Sequence, residues 1–229
     1  VASDDDVCEV VKKLKDAWNI GEDGILSVTD LLESKNIKVV EIKADSSFDG
    51  LSGYVNNDEN MPFVVVNKSF DVERLRFTGL HELGHLVMNL PEEMEKKDKE
   101  RLCNLFASEM LISRDTFVDV LGERRSDISL QELKVLQAMY GISVDALMFK
   151  AKTVGVISES KHTSFCIRKN KSLAFKDAVE RSSYRGVEES SRFDRLVYRA
   201  LASDMISCSK AAVLLNEPME EVKNKLELV

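Results

Sequence analysis

Two of the chain's three histidines stand four residues apart in RLRFTGLHELGHLVMNL, residues 74–90, and this spacing constrains the surrounding fold. On a helix, residues four apart share a face with their Cβ atoms about 6 Å apart. His81 and His85 can then point imidazole nitrogens at one cation, each at about 2.0–2.1 Å if the ion is zinc. Glu82, one residue along, is turned away from that ligand direction. It reaches the fourth coordination position, where a water sits, and its carboxylate can take a proton there and later pass it to a leaving amine. Leu80, Leu83, Leu86 and Val87 supply the apolar flanks of a helix around the HExxH pattern. Gly84 costs about 1 kcal/mol relative to Ala inside a helix, which suits a point where backbone or substrate comes close.

Two histidines leave a catalytic zinc site one ligand short, because such sites carry three protein ligands and an open position. The candidates are Glu92, Glu93, Glu95, Asp98, Glu100 and Glu109, with His162 far downstream. A second helix is expected over RLCNLFASEMLI, after a solvated loop and first turn in PEEMEKKDKE. Its early turns would pass His85. Spacing therefore favours Glu100, on the face of Asn104, Ala107 and Leu111, with Glu109 second. A His/His/Glu set accepts manganese or iron as well as zinc.

Around this pair of helices the periodicity changes. Val7 to Trp18 repeats at helical spacing, and Ser27 with Asp30 looks like a capping box for a second helix. Lys38–Ile42, Gly53–Val55 and Phe63–Asn67 read as strands separated by polar, Gly- and Asn-containing turns, which predicts a small, mostly antiparallel sheet. Asp71 stands where a cap for the histidine helix belongs, and Pro91 where it must stop. Short helices follow near Thr116–Leu121, Ser129–Tyr140 and Ser143–Lys152. Ser129 and Glu132 form a capping box, and Gly141 sits at a helix C-terminus. Residues 157–190 are the least legible, and Phe193 to Leu228 reads as helix, turn, helix, broken at Asn216-Glu217-Pro218. The expected fold class is α+β: a mainly helical core with the small sheet over residues 1–125, then a mainly helical region, 126–229, with helix-turn-helix-like pairs at Leu130–Lys150 and Ile206–Leu228.

Composition narrows the setting. The net charge of −8 argues against loose nucleic-acid binding by the whole chain, yet residues 161–200 hold ten Lys/Arg against five Asp/Glu. That surplus reads first as a solvated face and second as a docking surface for an acidic partner or DNA. Cys8, Cys103, Cys166 and Cys208 are far apart with no CxxC pair, which suggests reduced thiols and a cytoplasmic setting. There is neither a signal-peptide pattern nor an apolar run of membrane-spanning length. The chain opens on Val1 rather than Met, so a DNA-binding domain ahead of residue 1 is an open expectation.

The runs PFVVVN, RLRFTGLHELGHLVMNL and KERLCNLFASEMLIS together resemble the core of the ImmA/IrrE-type metallopeptidases. The likeness extends from near Trp18 past Ile112, and RFDRLVYRALASDMISCSKAAVLLNEPMEEV is similar to the tail of longer members. The resemblance implies a zincin-like metallopeptidase domain over residues 1–125, with His81, His85 and Glu100 as metal ligands and Glu82 as general base. It departs from the family pattern at Ser113, where a proline often ends the second helix, and at Leu102, where many members carry a Glu. It also implies the function: a limited cut in a helix-turn-helix repressor or antitoxin that switches on stress, phage or mobile-element genes. The alternative is a transcriptional regulator whose peptidase-like domain is a sensor or interaction module.

Overall fold

The computed structural model describes residues 1–55 and 60–227. In chain order the elements are α1 (Asp4–Trp18), α2 (Val28–Ser34), β1 (Lys38–Ile42), β2 (Gly50–Val55), β3 (Met61–Asn67), α3 (Val72–Val87), α4 (Lys96–Leu111) and α5 (Arg114–Leu121). They continue with α6 (Leu130–Tyr140), α7 (Val144–Thr153), α8 (Glu159–Lys171), α9 (Leu173–Glu180), α10 (Arg192–Ala202), α11 (Cys208–Leu215) and α12 (Met219–Glu227). The α+β expectation holds, with the helical C-terminal half. Local chemistry sets many of the boundaries. The Ser129–Glu132 capping box is complete in both directions, and Gly141 ends α6 in the left-handed region at φ 61°. A second complete box, Ser3 with Asp6, starts α1 a turn earlier than the apolar spacing implied.

The sheet is mixed rather than mostly antiparallel. Its order is β1-β3-β2, with β2 antiparallel and β1 parallel to β3. Chain direction alternates from strand to strand, so inserting β3 between the other two places same-direction strands side by side. The centre falls to β3, whose Val64 and Val66 are buried. Strands β2 and β3 begin three and two residues earlier than expected, and part of the turn expected between them falls at 56–59, outside the described residues. Asn67, fully buried, organises the connection from β1 to β2. Its Nδ2 donates to the carbonyls of Ala44, Asp45 and Phe48, and its Oδ1 accepts from Ala44 and Ser69. The loop is thereby fixed where it delivers Asp49 and Gly50 to the start of β2.

Helices α3 and α4 pack together, and α3 also packs on β2 and β3. Helix α3 stops at Val87, three residues before Leu90, because Met88 turns to extended backbone and buries its side chain. Pro91 therefore does not set the end, and Asp71, though at the N-cap, makes no side-chain cap bond. The illegible stretch holds α8, α9 and an irregular strap, residues 181–191, that returns to the core. The pair expected from Ile206 is α11 and α12, while the longer stretch from Phe193, expected as two helices, holds three, α10 to α12, closing on Val197, Leu201, Ala211 and Val222. Leu228 lies outside the described residues.

One buried cation ties these parts together. Arg76, on α3, has no exposure to solvent. Its guanidinium donates to the carbonyls of Ile25, Leu26, Tyr140 and Gly141, to the Tyr184 hydroxyl and to the Glu188 carboxylate. Glu188, on the strap, also accepts from the backbone N–H groups of Val28 and Thr29 at 3.0 Å, capping α2 from a distance in sequence. Removing one partner of a buried ion pair strands the other charge, at about 3–5 kcal/mol. Glu188→Ala is expected to lower stability by about that amount. Urea unfolding followed by circular dichroism would measure it, and a loss near zero would contradict the network.

Candidate metal centre

The α3 face carrying His81 and His85 looks onto the early turns of α4. His81 Nε2 lies 3.1 Å from Glu100 Oε2, His85 Nε2 lies 3.8 Å from the same oxygen, and the two Nε2 atoms are 3.2 Å apart. His81 Nδ1 faces Asn104 Oδ1 at 2.9 Å. Because that oxygen can only accept, the imidazole proton belongs on Nδ1, which leaves the Nε2 lone pair free. Donor atoms from three side chains thus converge, and one cation could accept from all of them. Two ligands at 2.0–2.1 Å on a tetrahedral ion stand about 3.3–3.4 Å apart, close to these separations. By donor set and spacing, the three fit a zinc-type ion.

Glu82 stays out of this cluster, as the one-residue offset requires. It is buried, and its Oε2 accepts from the Ser52 hydroxyl on β2 at 2.7 Å. His81, Glu82, His85, Glu100, Asn104 and Ser52 all line one cleft of about 660 Å³. The walls are assembled by packing: Phe106 of α4 lies against Gly84, where an added Cβ would stand 3.2 Å from the ring. The close neighbour that glycine admits is thus this side chain.

The other acidic candidates stand apart. Glu109, the second choice on spacing, is buried in an ion pair with Lys150 and accepts from the Arg114 N–H at 2.7 Å, at the start of α5. Its place in the last turn of α4 takes it away from the histidines. His162 lies on α8, edge-on to Phe149 with ring centroids 6.0 Å apart. Among the described residues, Glu92, Glu93, Glu95 and Asp98 join no metal-type cluster, and His81, His85 and Glu100 form one. The Cys103 thiol beneath the cleft is fully buried, and desolvation pushes its pKa up to about 12, so it stays protonated and inert.

Two contributors were not assigned roles from sequence. Asn104, four residues after Glu100, carried the spacing of a same-face partner, so a carboxamide positioned to orient a ligand was findable. Ser52 is a lone serine in a strand, with no local signal. The basic surplus at 161–200 is partly spent within the chain: Lys161 pairs with Asp127 at 2.6 Å and Lys169 with Asp145 and Glu180 at 2.7 and 3.1 Å.

Removal of single donors tests the cluster. Asn104→Ala is expected to weaken zinc binding by about 10–100-fold, the usual effect of losing an orienting partner. Glu100→Ala should weaken it further. Calorimetric zinc titration of the folded variants checks the order, and an unchanged affinity for Glu100→Ala would remove that residue from the site.

No helix among the described residues is long and apolar enough to cross a membrane. No protein of curated function matches the chain. The profile of the IrrE N-terminal-like domain, a peptidase family, matches residues 32–152, just over half of the chain and the whole of the segment from α3 through α4. A metallopeptidase-type function follows, in agreement with the cluster on α3 and α4. The chain belongs to the IrrE N-terminal-like peptidase family.

Proposed function

We propose that this chain is a zinc-dependent endopeptidase making a limited, regulatory cut in a DNA-binding repressor or antitoxin protein of the cytoplasm. The observation that carries the catalytic part is the convergence of His81, His85 and Glu100 beside a separately held Glu82. The substrate class rests on the family resemblance. Bound zinc would act as a Lewis acid toward a peptide carbonyl and toward water; manganese or iron would suit the same donors.

The chain's own residues divide the remaining work. His81, His85 and Glu100 would hold the ion, and Asn104 keeps the His81 proton on Nδ1. Ser52 anchors one carboxylate oxygen of Glu82, leaving the other to take the proton of the attacking water. Glu82 then returns that proton to the leaving amine. Strand β2 is an edge strand bordering the cleft through Gly50, Leu51 and Ser52. A substrate entering in extended form can pair with its outer edge, so that main-chain hydrogen bonds fix the scissile peptide. The alternative, a regulator using this domain as a sensor, leaned on the helix pairs at Leu130–Lys150 and Ile206–Leu228 and on the basic region 161–200, where Lys161 and Lys169 are already paired.

Glu82→Gln keeps the shape and the Ser52 contact while removing the proton acceptor. It is expected to bind zinc as the unaltered chain does and to cut its protein substrate about 10²–10⁴-fold more slowly. Fragment mapping by mass spectrometry of a candidate helix-turn-helix repressor, incubated with each protein in turn, is the measurement. Native-rate cutting by Glu82→Gln would refute the base assignment.

A further inference from the structure

A second cleft, of about 890 Å³, opens beside the metal cluster and shares Phe77, Glu100 and Asn104 with it. The two are therefore one continuous surface. Its walls are apolar: Phe77 of α3, Leu105 of α4, Ala146 and Phe149 of α7, and Val154. Phe149 is 55% exposed and lines this wall, with His162 edge-on to its ring and Lys152 Nζ 4.5 Å from the ring centroid. The floor carries no free charge, because Lys150 and Glu109 neutralise each other there.

The rim is different. Arg101 is held by Asp4 at 2.6 Å, but Lys96 and Lys97 are exposed and have no ionic partner among the described residues. Both stand in the first turn of α4, where the helix dipole disfavours cations. Two unpaired lysines at an unfavourable helix end, above an apolar groove that leads to the metal, are complementary to an acidic, apolar ligand. A cleft of this volume holds the bulk of several side chains rather than one.

We propose that this groove receives the part of the protein substrate adjoining the scissile bond, a segment with two or more large apolar side chains flanked by acidic residues. Phe77, Leu105 and Phe149 select the apolar groups, and Lys96 and Lys97 select the acids. The proposal rests on the peptidase reading, since it assigns the groove's occupant to the cluster's substrate.

The test separates binding from cutting. A displayed library of random dodecapeptides is selected on the zinc-loaded full chain carrying Glu82→Gln. The selected peptides, synthesised with a fluorophore, are titrated by anisotropy against that protein and its groove variants. Selected sequences should combine large apolar with acidic residues. Phe149→Glu, at an exposed position, and Ala146→Trp, which fills the groove, should each weaken binding about tenfold or more. Lys96→Glu with Lys97→Glu should do the same and flatten the salt dependence, and thermal melts confirm that each variant is folded. Failure to select any peptide, selection without the apolar–acidic pattern, or binding unchanged by Phe149→Glu would overturn the proposal. If the pattern and the losses hold but the zinc-loaded unaltered chain leaves the same peptides whole, the groove stands and the peptidase reading falls.

Discussion

A guanidinium closed off from water sits where α3 meets the α1–α2 connection, the end of α6 and the strap at 181–191. Burying Arg76 without partners would be prohibitive, so every segment that touches it must bring an oxygen. Four backbone carbonyls, one hydroxyl and one carboxylate do so. The consequence reaches the metal cluster along α3: Arg76 is five residues before His81. A helix pinned at that point cannot roll, and its histidine face is held toward α4. Gly141 completes the fit, since a Cβ there would stand 2.4 Å from Arg76 Nε.

With α3 fixed, the chemistry depends on its contact with α4. Glu100 and Asn104 are on neighbouring turns of one helix, and both address His81, one through each ring nitrogen. One helix face therefore supplies a candidate ligand and the group that orients another. Glu82 is kept separate by being fastened to the sheet instead, through Ser52. Under the proposed function, dividing the ligands between two helices and fastening the base at the helix–sheet contact would keep the proton acceptor from competing with the donors for the ion.

What was legible in the sequence follows from range. The HELGH pattern, the Ser129–Glu132 capping box and strand β1 depend on neighbours within a few residues, and their periodicities survive any tertiary context. Glu100 was reachable because two helices joined by a short loop must return past each other. The Arg76–Glu188 pair spans 112 residues, and nothing local to Glu188 distinguishes it from a surface glutamate. The mixed sheet was hidden for a similar reason: strand order depends on which strand buries best. Helices α8 and α9 have few buried residues, so their apolar pattern is weak.

The proposed function requires that two imidazoles and one carboxylate hold a single ion and leave a position open. X-ray absorption at the zinc edge, on the full chain loaded with one equivalent of zinc, tests it most directly. A first shell of nitrogen and oxygen at about 2.0–2.1 Å is expected, with the multiple-scattering signature of two imidazoles and no sulfur. A thiolate at about 2.3 Å, or a shell without imidazole, would contradict it.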